Sequence, residues 1–311
     1  MKLLSFANFT ALFLVVSLLM GQFNHFADDP GVGWHLENGR YIVENKSVPS
    51  IDPFLYSPKP RRWIANQWAS DVILYRIYKA GSWPALYGVF GALYVFTYLL
   101  VLFGSVKKIS GSVVPSVIGT VMAFKMGEIH FILRPVMISF LLFTLLFFRL
   151  AELYRRGDLP KVDWYVVALF ALWVNLHPSF AYGLCFVALY CFCVFWRHFE
   201  NRNSDTLNWK ELKDSVGTSF ITLALCVAAT LLNPYGVSLY ESIFGLMGNS
   251  YFMNLNEEWL SPDFKAPEGV FFSYVLISVP LFAYLSGKLK ATLFEVFSFI
   301  AAAFFALRSI R

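Results

Sequence analysis

The chain has 311 residues, of which 58% are hydrophobic, 19% are aromatic and only 14% are charged. A soluble protein carries roughly 25% charged residues, and a soluble protein of this size could not hide so much apolar side chain. Composition therefore excludes soluble, disordered, collagen-like and disulfide-scaffold classes and predicts an all-α, polytopic membrane protein. The net charge of +5 includes no dense basic run, so we expect no nucleic-acid partner.

Apolar runs of helical length predict a transmembrane helix bundle of about nine spans in a single domain over residues 1–311. The first run also resembles a signal peptide, but it lacks a convincing cleavage site, which favours a retained helix. We also expect the chain to continue beyond Arg311, because it ends directly after an apolar span. The predicted spans are Ser5–Met20, Ala85–Gly104, Val113–Met126, Val136–Phe148, Trp164–Leu176, Phe180–Trp196, Val216–Leu232, Val270–Ser286 and Thr292–Leu307.

The short connections between these spans alternate between rich and poor in lysine and arginine. The rich set begins with Lys107 and Lys108 and continues after every second span. The positive-inside rule places that set, and with it the N-terminus, in the cytoplasm. Residues 22–84 then form a long first extracytoplasmic loop, and residues 233–269 form a second large one.

The first loop is too long for a simple connector and carries its own predicted helices. Gly33–Glu44 has the composition of a short surface helix, and prolines break the chain after it. Arg62–Ala80 sets an apolar, aromatic side against a polar side that includes Asp71, which is typical of a helix in the membrane interface. Such a helix either anchors the loop or shapes a substrate cleft, and the pattern does not favour one over the other.

The chemically unusual residues all fall on the predicted outer side. Val113–Met126 and Trp164–Leu176 are too short to cross a hydrocarbon core of about 30 Å. Either the helices continue through Lys125–His130 and Asn175–His177, or polar groups at their outer ends reach below the membrane surface. Polar groups at that depth are tolerated in protein or along a wet cavity, which predicts an outward-opening polar cavity. The candidates are Asp28, Asp29, His35, Lys125, His130, Arg134, Asn175, His177, Tyr235, Glu257, Glu258, Trp259 and Asp263.

Each candidate also has an ordinary structural explanation. Asp28 and Asp29 lie in a Pro/Gly turn and are either solvated turn acids or a general base or metal ligand. Arg134 is either a snorkelling anchor or a phosphate-binding fork. The segments Asn175–Ser179 and Asn233–Gly236 are compatible with plain turn chemistry, and the aromatic rings are compatible with an interface belt or a sugar-stacking surface. Phosphate loops, a nucleophile elbow and the HExxH motif are absent from the sequence.

The order of these motifs resembles the bacterial polytopic proteins known as GT-C-type glycosyltransferase-like membrane proteins, over nearly the whole chain from Ser5 to Arg311. The segments that carry the resemblance are Asp29–Gly39, Pro49–Phe54, Asn66–Trp68, Leu133–Pro135, Asn175–His177, Leu232–Gly236 and Glu258–Phe264. Two features depart from the group: Pro30 stands where many members have a glutamate beside the key aspartate, and members usually have more spans.

The resemblance implies an inverting transferase of the bacterial cytoplasmic membrane that works on the extracytoplasmic face with a polyprenyl-phosphate-linked sugar donor. Asp29, with Asp28 as its neighbouring candidate, matches the group's acidic residue, while Arg134 and His177 match its Arg-Pro and Asn-Leu-His motifs. We expect a glycan, lipid or protein acceptor and the bilayer as partners. No cofactor is assigned with certainty; a divalent cation, Mg or Mn, is one alternative for Glu258 and Asp263.

The sequence therefore predicts that Asp29 takes the proton of the acceptor hydroxyl and that Arg134, Lys125 and His177 stabilise the departing lipid phosphate. The remaining candidates are predicted to bind substrate: His35, His130, Asn175, Tyr235, Glu257, Glu258, Trp259 and Asp263. Two rival functions stay open at this point. One is a transporter or flippase of a lipid-linked or polar solute, and the other is a non-catalytic scaffold that kept the fold.

Overall fold

A computed structural model describes residues 13, 16, 29–127, 130–157, 161–200, 209–255, 260–286 and 291–308. In this part of the chain every regular element is a helix, and one isolated antiparallel bridge joins Ile51 to Arg62. The all-helical prediction is thereby confirmed for these residues. The predicted first span, Ser5–Met20, lies almost wholly outside them.

The helices follow one another through short connections. In chain order they are α1 (Gly31–Asn45), α2 (Trp68–Val95), a π-helical segment (Phe96–Phe103), α3 (Gly104–Ser110), α4 (Val113–Gly127), α5 (Val136–Arg156), α6 (Trp164–Leu176), α7 (Phe180–Glu200), α8 (Trp209–Ala229), α9 (Ser238–Met247), α10 (Ser250–Leu255), α11 (Pro267–Ser286) and α12 (Leu293–Arg308).

Three helical stretches of the described chain are long and apolar enough to cross a membrane, namely Trp68–Ser110, α5 and α7. Shorter apolar helices occupy Val113–Gly127, Trp164–Leu176 and Pro267–Leu281. The chain therefore has the character of a membrane protein, as its composition predicts. The number of crossings and their direction remain proposals, which are taken up below.

The stretch Trp68–Ser110 is kinked near its start. Gly81 and Ser82 have non-helical backbone angles, with φ of 56° at Ser82. Pro84 follows two residues later; it lacks the N–H that would bond the preceding turn, and its ring clashes with a helical carbonyl there. The kink separates the predicted interface helix, which ends near Ala80, from the predicted span that follows it.

The helix predicted over Arg62–Ala80 begins at Trp68 rather than at Arg62. Residues before it are held in extended chain, because Asp52 N–H donates to the Arg61 carbonyl at 2.9 Å and Trp63 N–H donates to the Ser50 carbonyl at 3.0 Å. These contacts join residues about ten positions apart, so a periodicity read over neighbouring residues does not detect them.

The chain divides into two compact units. Unit 1 comprises residues 1–145 and 175–179, and it contains α1 packed along α2. Its apolar core joins Val32 of α1 to both parts of α2 and to the segment that precedes α5. The core residues are Val32, Leu74, Leu86, Phe90, Tyr94, Tyr98, Phe131, Leu133 and Met137.

Unit 2 comprises residues 146–174 and 180–311. Here α7 packs against α8 and α12. Gly183 lets α7 come close to α6, since a Cβ at this position would lie 2.8 Å from the Trp173 ring and 3.1 Å from the Phe170 ring. Arg155 makes a two-point ion pair with Glu295, at 2.8 and 3.0 Å.

Candidate functional site

The first element of the site is an ion pair between Asp29 and Arg134, which are 105 residues apart in sequence. The Arg134 Nη2 group donates to Asp29 Oδ1 at 2.6 Å, and Arg134 Nε donates to Asp29 Oδ2. The aspartate side chain is 7% exposed and the arginine side chain is 26% exposed. This fork-to-carboxylate geometry is the strongest form of a protein ion pair, and it holds the guanidinium plane in one orientation.

The local chain at each partner explains how the pair forms. Asp29 precedes α1, and its Oδ1 atom accepts the Gly31 N–H at 2.9 Å. A Cβ at Gly31 would lie 3.0 Å from Arg134 Nη2, so glycine there leaves room for the guanidinium. Arg134 lies in a tight turn before α5, with its N–H donating to the Ile132 carbonyl at 2.8 Å. The Arg-Pro motif thus presents its arginine at the start of a candidate span.

The second element joins His35 and Asn38 of α1 to Asp71 of α2. His35 Nδ1 lies 2.7 Å from Asp71 Oδ1, and Asn38 Nδ2 donates to Asp71 Oδ2 at 2.5 Å. The side chains of His35 and Asp71 are 12% and 5% exposed. His35 and Asn38 are one helical turn apart, so both face the same carboxylate. Because an ionised carboxylate only accepts hydrogen bonds, the neutral His35 ring carries its proton on Nδ1.

A close helix crossing makes this second element possible. A Cβ at Gly39 would lie only 2.1 Å from the Asp71 backbone oxygen and 2.7 Å from the Tyr75 Cβ atom. No residue other than glycine fits there, so α1 and the first turns of α2 touch backbone to backbone. Asp71 also lies in the first turn of α2, where the helix dipole favours a carboxylate.

The third element is the connection after α6, which belongs to unit 1. The Trp68 indole N–H donates to Asn175 Oδ1 at 2.9 Å, and the Ser70 hydroxyl donates to the Leu176 carbonyl at 2.8 Å. These bonds fix the predicted Asn-Leu-His motif against the start of α2. The last residue of this motif, His177, is therefore held beside the helix that carries Asp71.

His177 has a defined neutral tautomer. The Ser179 backbone N–H lies 3.1 Å from His177 Nδ1, which must accept, so the proton of the neutral ring is on Nε2. Desolvation, together with the charge of His35, lowers the pKa of His177 to about 3. The ring is therefore a neutral hydrogen-bond donor at physiological pH.

His130 and Lys125 belong to the same unit but make different contacts. The His130 ring packs edge-on against Phe140 with 5.3 Å between centroids, and the Tyr94 hydroxyl donates to the His130 carbonyl at 2.7 Å. Lys125 is exposed in the last turn of α4. Their predicted roles, binding of substrate and of phosphate, remain predictions.

Two other predicted residues lie in unit 2. Tyr235 follows Asn233 in a turn in which the Tyr235 N–H donates to Asn233 Oδ1 at 2.8 Å and Gly236 has φ of 53°. Asp263 is exposed and its Oδ1 atom accepts the Lys265 N–H at 2.8 Å. Both contacts are those of ordinary turn-forming side chains.

The remaining candidates, Asp28, Glu257, Glu258 and Trp259, lie outside the described residues. Among the residues that are described, no three His, Cys, Asp or Glu side chains converge as a metal site would require. The predicted alternative of a divalent cation at Glu258 and Asp263 therefore stays untested. The four cysteines, all described, are unbridged, and three of them are buried in helices of unit 2.

The structure adds three site residues that the sequence did not single out: Asn38, Trp68 and Asp71. Asp71 was assigned to the polar side of an interface helix, yet the residue is buried against α1. The spacing of His35 and Asn38 at i and i+3 was visible in the sequence. Their shared carboxylate was not, because it comes from a separate helix.

Comparison with family models, curated proteins and solved structures gives no match to this chain. The family resemblance therefore rests on the motifs alone, and the function must be argued from the contacts just described.

Proposed function

We propose that the protein is a polytopic membrane glycosyltransferase that moves a sugar from a polyprenyl-phosphate-linked donor to an acceptor at the extracytoplasmic face, with inversion at the anomeric carbon. The observation that best supports this proposal is the oriented guanidinium of Arg134. It is fixed by Asp29, remains 26% exposed, and stands where the chain enters a candidate membrane span.

A lipid-linked phosphate fits that position chemically. Its prenyl chain belongs in hydrocarbon and its phosphate belongs at the bilayer edge, where an arginine that precedes an apolar helix is located. A guanidinium stays charged and offers a planar set of N–H donors to phosphate oxygens. Asp29 would keep Arg134 in the correct orientation while the donor binds.

Transfer would then require little acid catalysis on the donor side. The acceptor oxygen bonds to the anomeric carbon while the bond from that carbon to the phosphate oxygen breaks, and Arg134 stabilises the phosphate charge that develops. Lys125 and His177 are the proposed additional donors to that phosphate. The sequence predicted that Asp29 removes the acceptor proton. The two-point pairing of Asp29 with Arg134 counts against that role.

The proposed topology keeps about nine spans, the N-terminus in the cytoplasm and the site on the outer side of a bacterial cytoplasmic membrane. Its support is the distribution of basic residues. Lys107 and Lys108 end α3, Arg155 and Arg156 end α5, and Arg197 lies near the end of α7, which are the connections predicted to be cytoplasmic. The connections that carry Arg134 and His177 alternate with these along the chain.

The test is a transfer assay with purified protein in proteoliposomes and radiolabelled polyprenyl-phosphate mannose and polyprenyl-phosphate glucose as donors, with membrane glycans and lipids as acceptors. We expect transfer by the wild type and a loss of about 10²-fold or more in kcat/KM for Arg134→Met, through a lower kcat as well as a higher KM for the donor. Arg156→Met is the matched control, because Arg156 is 64% exposed and pairs within its own helix.

Two results would contradict the proposal. One is an Arg134→Met protein with unchanged kcat/KM. The other is a wild type that moves these lipids or a solute across the bilayer without forming a covalent product, which is the transporter alternative. Donor binding without either event would indicate a non-catalytic scaffold.

A further inference from the structure

We propose that His35 is the general base of this reaction, with Asp71 and Asn38 as its positioning residues, and that Asp29 acts by orienting Arg134. The inference rests on the proposed function and changes its chemistry at one point. It assigns proton removal to the imidazole of α1 rather than to the carboxylate that precedes that helix.

Asp29 and Asp71 have different partners. Both oxygens of Asp29 face the cation Arg134, and one of them also accepts the Gly31 N–H. A carboxylate held in this way is poorly placed to take a proton, because protonation would cost its charge-assisted bonds. Asp71 instead faces the His35 imidazole, whose second ring nitrogen can accept a proton.

The second step is the tautomer of His35. Its Nδ1 atom is bonded to Asp71 at 2.7 Å, so the lone pair of the neutral ring is on Nε2. A carboxylate that holds one ring nitrogen fixes both the ring plane and the tautomer, and it stabilises the imidazolium once a proton arrives. Asn38 holds the other carboxylate oxygen at 2.5 Å, so Asp71 itself cannot rotate freely.

The third step is that the second imidazole, that of His177, offers a hydrogen-bond donor where His35 offers an acceptor. His177 carries its proton on Nε2, because its Nδ1 accepts from Ser179. The two histidines thus differ in which ring nitrogen accepts, and their segments meet at α2, where the adjacent residues Ser70 and Asp71 bond Leu176 and His35. A neutral imidazole donates a hydrogen bond without giving up its proton, so His177 would bind a substrate oxygen while His35 accepts the proton.

In the proposed step the acceptor loses its proton as the sugar is transferred. Nε2 of neutral His35 takes the proton of the acceptor hydroxyl, and the acceptor oxygen forms its bond to the anomeric carbon. The bond between that carbon and the phosphate oxygen breaks, and its electron pair stays on the phosphate beside Arg134. The products are the glycosylated acceptor, the polyprenyl phosphate and the His35 imidazolium, which returns its proton to water.

The first experiment is chemical rescue in the same proteoliposome assay. We expect His35→Ala to lower kcat by about 10²- to 10⁴-fold with little change in donor KM, and added imidazole to restore part of that loss. Asp71→Asn should lower kcat through a misplaced ring, without rescue. His198→Ala, a histidine of unit 2, is the control and should retain wild-type kcat.

The second experiment reads the tautomers without any transfer. Nitrogen NMR of isotope-labelled histidine in nanodiscs should show the proton of neutral His35 on Nδ1 and that of neutral His177 on Nε2, with assignments from His35→Gln and His177→Gln. Asp71→Asn should release the His35 preference.

The outcomes separate the two proposals. Wild-type transfer with an unimpaired His35→Gln protein, or with a folded His35→Ala protein that imidazole does not restore, would overturn the role of His35 and leave the transferase standing. A His35 proton on Nε2 would overturn it as well. A wild type that transfers no sugar while donor binding persists would remove both proposals together.

Discussion

Breaking the Asp29–Arg134 pair is expected to destabilise unit 1, and more so from the arginine side. Arg134→Met keeps the apolar stem but removes the arginine from a carboxylate that is 7% exposed, while the Gly31 N–H still donates to that carboxylate. Losing the partner of a buried charge costs roughly 3–5 kcal/mol, and because the Gly31 N–H still stabilises the carboxylate we expect about 3 kcal/mol here. Asp29→Asn leaves an arginine that water reaches at 26% exposure, so we expect about 1–2 kcal/mol.

A double-mutant cycle measures the pair itself. The protein carrying both changes should be about 1–3 kcal/mol more stable than the sum of the single effects predicts. The assay is reversible unfolding in mixed detergent micelles, followed by far-ultraviolet circular dichroism. Arg156 and Glu152, an exposed pair at i and i+4, provide the control cycle, for which we expect at most about 0.5 kcal/mol. Equal coupling in the two cycles, or additivity at Asp29 and Arg134, would refute the reasoning.

Three further outcomes follow from contacts in unit 1. The pKa of His177 lies at about 3, below its ordinary value of 6.5, so unfolding takes up a proton and the free energy of unfolding falls as the pH is lowered from 7 to 5. This fall should be about 1–2 kcal/mol larger in the wild type than in His177→Gln. Parallel curves of stability against pH for the two proteins would contradict this. Gly39→Ala should lower the free energy of unfolding by about 1–3 kcal/mol or more in the same unfolding assay. Gly33→Ala on the same helix is the control: a Cβ there has no atom within 4 Å, so this change should be neutral or slightly stabilising. Asn175→Ala removes the acceptor of the Trp68 indole and should cost about 1–2 kcal/mol, and the cost should largely vanish in a Trp68→Phe background.

The helical elements were predictable because periodicity and composition are local properties. Val113–Met126 and Trp164–Leu176 agree with α4 and α6 to within one residue, and Gly33–Glu44 agrees with α1 to within two. The helix predicted from Arg62 begins only at Trp68, because extended-chain pairing with residues 50–52 competes with helix there. Apolar length also identified α5 and α7 as candidate spans.

The candidate site was predictable only in part, because its residues are joined by contacts between helices. Asp29, His35, Arg134 and His177 stood out as charged or ionisable groups at the ends of apolar runs, where such groups are costly. Their pairing did not stand out. The sequence did not identify Asp71 as the partner of His35 and Asn38, since a polar residue on an amphipathic helix is ordinarily solvated.

The sequence by itself determined that this is a helical protein with membrane-spanning character, since so much apolar side chain has no other stable location, and it marked the ends of helices where chemistry concentrates. Only the tertiary structure decided which acid meets which base. That choice depends on the close crossing of α1 and α2 at Gly39 and on the turn that presents Arg134, and such approaches between distant segments leave no periodic trace in the chain.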